Sequence, residues 1–228
     1  MPFDALSFAG CGTLNFYQTG VAHALQQAGL TDDVLYAGTS AGSGLAVLMA
    51  SGIEAKKISD TTNELLAPFQ GKNLFKHPDI LTSFIDSFLD VFMQKETLLK
   101  IGERVHISIT TLRPFQNQLV NQFTDLDDLC QALRASCHVP SILFPSVSFR
   151  GQQCIDGGFT KNSPKIGSSC LRVSPFFFDP RMKINPRRLT PPWWALMIPK
   201  PKRTRQLFEQ GAKDAERYIQ KKEFIALR

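Results

Sequence analysis

Two short segments carry the side chains best suited to chemistry. Residues 38–42 read Gly38-Thr39-Ser40-Ala41-Gly42, a G-x-S-x-G pattern, and residues 156–158 read Asp156-Gly157-Gly158. A serine hydroxyl is a weak nucleophile until a base takes its proton. A G-x-S-x-G elbow turns sharply from strand into helix and holds the hydroxyl out of the sheet, and its glycines leave room for the tight turn. Asp156 supplies a carboxylate on a glycine-permitted turn. The histidines are His23, His77, His106 and His138. All precede Asp156, so the triad order in which a histidine follows the acid is missing. His23 and His106 fall inside expected elements and read as structural. His138, in a loop before Val139-Pro140, is the rival base. The pattern thus suggests a serine hydrolase whose base is the aspartate. A third segment, Gly10-Cys11-Gly12, falls at a strand-to-helix turn, where backbone amides can hold an oxyanion or a phosphate. Asn15 stands where a dinucleotide fingerprint needs its third glycine, and there is no P-loop lysine.

The elements that must position these groups follow from the apolar pattern. Asp4 to Ala9 reads as a strand, and Phe16 to Ala28 as a helix closed by Gly29. Val34 to Ala37 reads as a buried strand running into the elbow, and Ala41 to Ala50 as a buried helix. The twenty residues Val34 to Ile53 carry no charge. They are long enough for a membrane span, but the glycines and the elbow inside them favour strand, turn and helix. Residues 54–100 read as helical, with Ile80, Phe84, Phe88, Val91 and Phe92 as an apolar stripe that fits core packing better than a lipid-facing lid. Val105 to Thr110 reads as a strand, with Leu119 to Phe123 pairing nearby. Asp125 is placed to cap a helix to about Cys137. Pro140 and Pro145 enforce a loop. Gln152 to Ile155 is a short strand delivering Asp156, and Leu171 to Ser174 another. Residues 180–203 read as irregular, and Gln206 to Lys221 as a helix. Strands alternating with helices indicate an α/β fold with a mostly parallel sheet.

The three motifs, with Ser7-Phe8-Ala9 before the glycine turn, Ser148-Phe149-Arg150-Gly151 before Asp156 and Asn162-Ser163-Pro164 after it, resemble the patatin-like phospholipases, in their adiponutrin-like branch. The likeness covers residues 3–165 well and the remainder loosely. It implies a patatin-like three-layer α/β fold whose central sheet is flanked by helices. It implies a Ser–Asp dyad, Ser40 as nucleophile and Asp156 as base, with Gly10, Cys11 and Gly12 amides as the oxyanion hole and Gly38, Gly42, Gly157 and Gly158 shaping the two turns. The implied activity is hydrolysis of phospholipid or neutral glycerolipid acyl esters through an acyl-enzyme, with acyl transfer in some members and no metal or cofactor. Leu14 fits the adiponutrin-like branch, where patatin has a basic residue. Asn15 departs by replacing a glycine, which motivates the alternative of a lipid-binding or regulatory protein of weak activity.

Composition bounds the partners. The chain has 228 residues, enough for one α/β domain with a real core. Residues 1–160 hold 10 basic and 15 acidic side chains, net −5, and residues 161–228 hold 16 and 5, net +11. This asymmetry divides the chain into a catalytic domain, 1–170, and a basic C-terminal extension, 171–228, packing on it as a candidate membrane-facing segment. Arg181, Lys183, Arg187, Arg188, Lys200, Lys202, Arg203 and Arg205 surround Trp193-Trp194, a composition suited to peripheral docking on a membrane or lipid droplet. The competing reading is a solvated basic face over two core tryptophans. No zinc-finger or RRM motif supports nucleic acid. Met1-Pro2-Phe3-Asp4 lacks a basic n-region, so no secretory signal is read. Five cysteines without metal-ligand spacing fit a reducing compartment. The expected location is cytoplasmic and peripherally membrane-associated.

Overall fold

A computed structural model describes residues 2–74, 76–140, 145–177, 181–187 and 190–226, with the side chains of 222–226 left aside. Arg188 and part of the loop between Pro140 and Pro145 lie outside the described residues.

The strands are β1 (Ala5–Phe8), β2 (Leu35–Thr39), β3 (Val105–Leu112), β4 (Phe115–Val120), β5 (Val147–Phe149), β6 (Gln152–Asp156) and β7 (Cys170–Val173). The helices are α1 (Asn15–Gln27), α2 (Ala41–Ala50), α3 (Ala55–Leu66), α4 (Pro78–Phe92), α5 (Lys95–Ile101), α6 (Leu126–Ser136) and α7 (Pro201–Ala226). The seven strands form one mixed sheet. β7, β1, β2 and β3 lie side by side and parallel, and β4, β6 and β5 are added antiparallel beyond them. The uncharged run from Val34 to Ile53 is β2, the elbow and α2. Asp125 caps α6 by accepting the Asp128 N–H at 2.8 Å. The strand expected near Leu119 is β4, which begins earlier, at Phe115. The helix expected from Gln206 begins at Pro201, a residue suited to a first helical turn.

The register of β3 decides where the site forms. β4 pairs along β3 from Ile107 to Leu112. β2 pairs with Val105–Ser108 and β6 with Ile109–Thr111, so both must use the other edge. β2 runs with β3 and β6 runs against it. Their C-terminal ends therefore meet head to head, Thr39 opposite Ser108 and Asp156 opposite the next residue, Ile109. The residue that leaves β2 is Ser40.

The alternation of the strands sorts the two faces. Leu6, Phe8, Tyr36, Val105, Ile107, Ile109, Leu171 and Val173 point into one large core shared with all seven helices. The opposite face holds a small cluster, Ala5, Ala37 and Ile166 with Leu35, Leu119 and Cys170 packed on it. It is bound by the coil after β6, where the Lys161 carbonyl accepts from Thr39 Oγ1 at 3.0 Å and from Ser108 Oγ at 3.1 Å. The helices flank the sheet chiefly from the large-core face. The C-terminal part is built into the body: β7 pairs with β1, and α7 packs along α1.

Candidate active site

Ser40 holds φ +54° and ψ −129°, a left-handed conformation rare for a side-chain-bearing residue. The surroundings enforce it. A Cβ on Gly38 would overlap the Gly42 carbonyl, and one on Gly42 would overlap the Phe8 and Ala9 carbonyls, so both glycines are required by close approach. The Ser40 N–H donates to Ser136 Oγ at 2.9 Å, and the Ser136 hydroxyl donates to the Ser108 carbonyl at 2.8 Å. Ser136, fully buried at the end of α6, thus ties the elbow to β3 where β2 and β6 meet. The Ser40 carbonyl accepts from Ser43 N–H at 2.8 Å and Ser43 Oγ at 2.6 Å.

Asp156 ends β6 and is 6% exposed. Its N–H donates to the His138 carbonyl at 2.8 Å, its carbonyl accepts the Thr110 hydroxyl at 2.9 Å, and its Oδ1 accepts the Gly158 N–H at 2.7 Å. The Ser40 side chain lies close enough to the carboxylate to favour its charged form, and both line the same cavity. Burial raises the Asp156 carboxyl from 3.8 to about 6, against the lowering effects of Ser40 and the Gly158 amide. Cys137 stands beside the pair, its thiol pushed up to about 12 by burial first and then by the Asp156 charge. The backbone of His138 is what supports Asp156; Cys137 and Val139 on either side line the cavity, and His138 does not.

The glycine turn closes over Ser40. A Cβ on Gly10 would stand 2.7 Å from Asn162 Oδ1 and 3.1 Å from Ser40 Cβ. The Gly10 N–H already donates to the Asn162 carbonyl at 3.1 Å. Gly12 has φ +52°, and a Cβ there would overlap the Ala195 carbonyl. Gln18 braces the turn: Oε1 accepts the Ala9 N–H at 2.9 Å, and Nε2 reaches the Ala9 carbonyl at 2.8 Å, Cys11 Sγ at 3.0 Å and Asn15 Oδ1 at 3.1 Å. Asn15 is drawn back onto α1 by this bond. The Thr13 hydroxyl faces three carbonyls of the Pro192–Leu196 turn and its exit, Met197 at 2.8 Å, Trp194 at 2.9 Å and Ala195 at 3.3 Å.

Ser40, Asp156 and the turn Gly10-Cys11-Gly12 all line one cavity of about 400 Å³. Away from them its wall is apolar: Leu81, Phe84, Ile85 and Phe88 of α4, with Leu66 and Leu133. The stripe on α4 is therefore divided. Ile80 and Phe92 are buried in the core, Phe84 and Phe88 face the cavity, and Val91 is 48% exposed. Gly38, Gly42 and Gly157 are buried supports, whereas Gly158 is exposed at the rim with Phe159. Three site residues were missed in the sequence. Ser136 carries no local signal. Asn162 stands in a segment singled out only for its likeness. Ala41 could have been found as the residue after the elbow serine, whose N–H at a helix start has no intrahelical acceptor.

The patatin-like phospholipase family model matches residues 6–165. The chain belongs to the patatin-like phospholipase family. Its patatin-like body is similar to human 1-acylglycerol-3-phosphate O-acyltransferase PNPLA3, 33% identical over 181 residues, covering 76% of this chain and 37% of the relative. It is 33% identical to the human omega-hydroxyceramide transacylase over 182 residues, 75% of this chain and 34% of the relative. Human patatin-like phospholipase domain-containing protein 4 is 32% identical over 194 residues, covering 80% and 74%. The chain thus spans little more than a third of the first two relatives. Among solved structures, VipD from Legionella pneumophila shares the fold with a TM-score of 0.59 at 12% identity, covering 97% of this chain and 67% of that one. The type III effector ExoU does so at 0.52 and 16% identity, covering 97% and 54%. The adiponutrin-like resemblance of the motifs agrees with the PNPLA3 match.

Proposed function

We propose that this chain is a lipid acyl hydrolase working through a Ser40–Asp156 dyad. The observation that carries the reading is the strained Ser40 elbow set beside a buried carboxylate at the head of an apolar cavity. Asp156, ionised, takes the proton as Ser40 Oγ attacks the acyl carbonyl. The negative oxygen formed is met by the Cys11 and Gly12 amides together with Ala41 N–H; the Gly10 amide, bonded to Asn162, shapes the turn instead. The protonated Asp156 returns the proton to the leaving alcohol and leaves an acyl-Ser40 ester. A second cycle with water, activated by Asp156, releases the fatty acid. The acyl chain lies along Leu81, Phe84 and Phe88. The substrate is a phospholipid or neutral glycerolipid, met peripherally at a cytoplasmic membrane or lipid-droplet surface. The five unpaired cysteines support a reducing compartment. Among the described residues no helix is long and apolar enough to cross a membrane. Residues 1–170 carry the chemistry and 171–228 contribute the face that meets lipid.

The printed names of two relatives, an acyltransferase and a transacylase, favour one second reading, transfer of the acyl group from Ser40 to an alcohol other than water. One experiment separates these readings. Wild type is incubated with a mixed phospholipid and triacylglycerol panel, with Ser40→Ala and Asp156→Asn as controls, and the products are resolved. Fatty acid release lost in both variants supports hydrolysis, and new esters lost in both support transfer. Products unchanged in Ser40→Ala would sink the dyad. No product and no fluorophosphonate adduct on Ser40 would leave a lipid-binding protein.

A further inference from the structure

The sequence leaves two readings for Trp193-Trp194, and the structure separates the pair. Trp194 is half-buried, with the Arg203 guanidinium stacked 3.6 Å from its ring centroid. That ring serves the fold. Trp193 is 66% exposed, in the short turn Pro192–Leu196. The turn is not a free loop. The Thr13 hydroxyl holds its carbonyls from below. Its exit pairs with the segment before α4, through Leu74 N–H to the Leu196 carbonyl at 2.8 Å and Ile198 N–H to the Lys72 carbonyl at 2.9 Å. Ala195 and Leu196 line the cavity, as do Val139 and Phe159, which are 36% and 56% exposed. Exposed apolar surface is therefore continuous with the cavity mouth. Around it stand exposed Lys200 and Lys202, Lys72 and Lys76 of the paired segment, and half-buried Arg203. Of the exposed acids on the neighbouring helices α3 and α4, Asp60 pairs with Lys56 and Asp90 lies at the far end of α4, which leaves Glu64 and Asp79 against Lys72, Lys76, Lys200 and Lys202.

We propose that the Pro191–Lys202 segment is the docking element for an anionic phospholipid surface, Trp193 entering the headgroup layer and Lys72, Lys200 and Lys202 meeting the phosphates. The assignment rests on the lipid-hydrolase reading, because the surface it selects is the one that delivers lipid to Ser40. Tryptophan favours the headgroup region, having an apolar body and one N–H donor. Lysines near an anionic surface each strengthen binding about five-fold, and salt screens that gain. Since the same turn touches Gly12 and is held by Thr13, docking occurs within one turn of backbone from the amides that face Ser40.

The test uses the full chain and sedimentation of vesicles made of phosphatidylcholine alone or with about a third phosphatidylserine. Binding is expected to favour the anionic vesicles and to weaken in high salt. It should fall at least ten-fold in Trp193→Ala and about twenty-fold in Lys200→Ala/Lys202→Ala, with thermal unfolding unchanged. Ser40 labelling by a small fluorophosphonate in solution should be kept by both variants. Equal binding to the two vesicles, unchanged binding in both variants, or displacement of anionic vesicles by an oligonucleotide at lower concentration overturns the proposal. Loss of labelling together with binding also overturns it, because the turn would then act only by supporting the fold. Ser40→Ala should bind vesicles as wild type does. An unlabelled Ser40 in a chain that still docks through Trp193 would defeat the hydrolase reading and leave the docking element standing.

Discussion

Asp156 and Ser40 each hold a state that the fold alone would not choose. Burial lifts the Asp156 carboxyl from 3.8 to about 6. If Asp156 is the base proposed above it must be ionised to act, so turnover of a soluble ester should fall ten-fold per pH unit below about pH 6. The same shift has a stability consequence. The folded state binds the proton more tightly than the unfolded one, so this group favours the fold below pH 3.8. That contribution is lost as pH rises to about 6, leaving a deficit of about 3 kcal/mol. Asp156→Asn keeps an acceptor for the Gly158 N–H and removes the charge. It should raise stability toward that amount at pH 7.5 and change it little at pH 3.5, as urea unfolding at the two pH values would show, while product release is lost. Ser40 gives a parallel case in the backbone. Its φ of +54° costs about 1–3 kcal/mol for a residue with a Cβ. Ser40→Gly should recover at least about 1 kcal/mol in the same unfolding measurement and Ser40→Ala should not, although both abolish labelling.

Between elements, α2 and α4 set what the cavity accepts. Gly44 lies one turn beyond Ser40 on α2, and a Cβ there would meet the Phe88 ring at 3.2 Å. Both residues line the cavity, so in the proposed reaction they would together limit how far an acyl chain extends from Ser40. A buried methylene is worth about 0.8 kcal/mol, close to four-fold in affinity. Gly44→Val should lower kcat/KM for long-chain esters at least ten-fold relative to butyryl esters, and Phe88→Ala should shift the preference toward longer chains. A chain-length series of p-nitrophenyl esters checks both, and an unchanged profile would place the acyl chain elsewhere. The elbow, α2 and the cap of α6 were legible because local sequence dictates them: glycines flanking a serine, an unbroken apolar run, and Asp125 before a polar turn. β4 was misplaced because Phe115 and Gln116 are exposed and Asn117 and Gln118 half-buried, and such a strand shows no apolar alternation. The α4 stripe was legible as apolar, but one face of a helix can border a core and a cavity alike. Ser136 was invisible because its value lies in joining Ser40 to Ser108, residues 96 and 28 positions away. Ser40 and Asp156 were found as motifs, yet nothing local says that β2 and β6 share one edge of β3 and meet end to end.

At the scale of the whole molecule, the large core lies on one face of the sheet, and its outer boundary is the contact between α1 and α7. That contact is unusually close. A Cβ on Gly20 would overlap the Phe208 carbonyl, and one on Gly211 would overlap the Tyr17 carbonyl, so each helix offers a glycine where the other's backbone passes. Tyr17, fully buried, donates its hydroxyl to Asp214 Oδ2 at 3.0 Å, and Arg217 pairs with the same carboxylate. Burial, followed by the Asp214 charge, pushes the Tyr17 phenol up, so it stays a donor at any working pH. The net +11 of residues 161–228 thus hides a helix whose buried face is Thr204, Leu207, Gly211, Ala215 and one satisfied acid, Asp214. α1 follows the glycine turn and carries Gln18, which braces that turn, so the seam with α7 bears on the candidate site as well as on stability. Gly211→Val would force the helices apart or shift α7, and overpacking of this kind costs about 1–3 kcal/mol. Lys213→Val is the matched control: it puts the same β-branched side chain into the same helix at an exposed position, where only a few tenths of a kcal/mol are at stake. Urea unfolding should place Gly211→Val at least about 1 kcal/mol below Lys213→Val. Ser40 labelling in Gly211→Val should slow at 25 °C, while the chain remains folded, because the displaced α1 loosens the Gln18 brace. A Gly211→Val chain that loses stability but labels at the wild-type rate would confine the seam to a structural role.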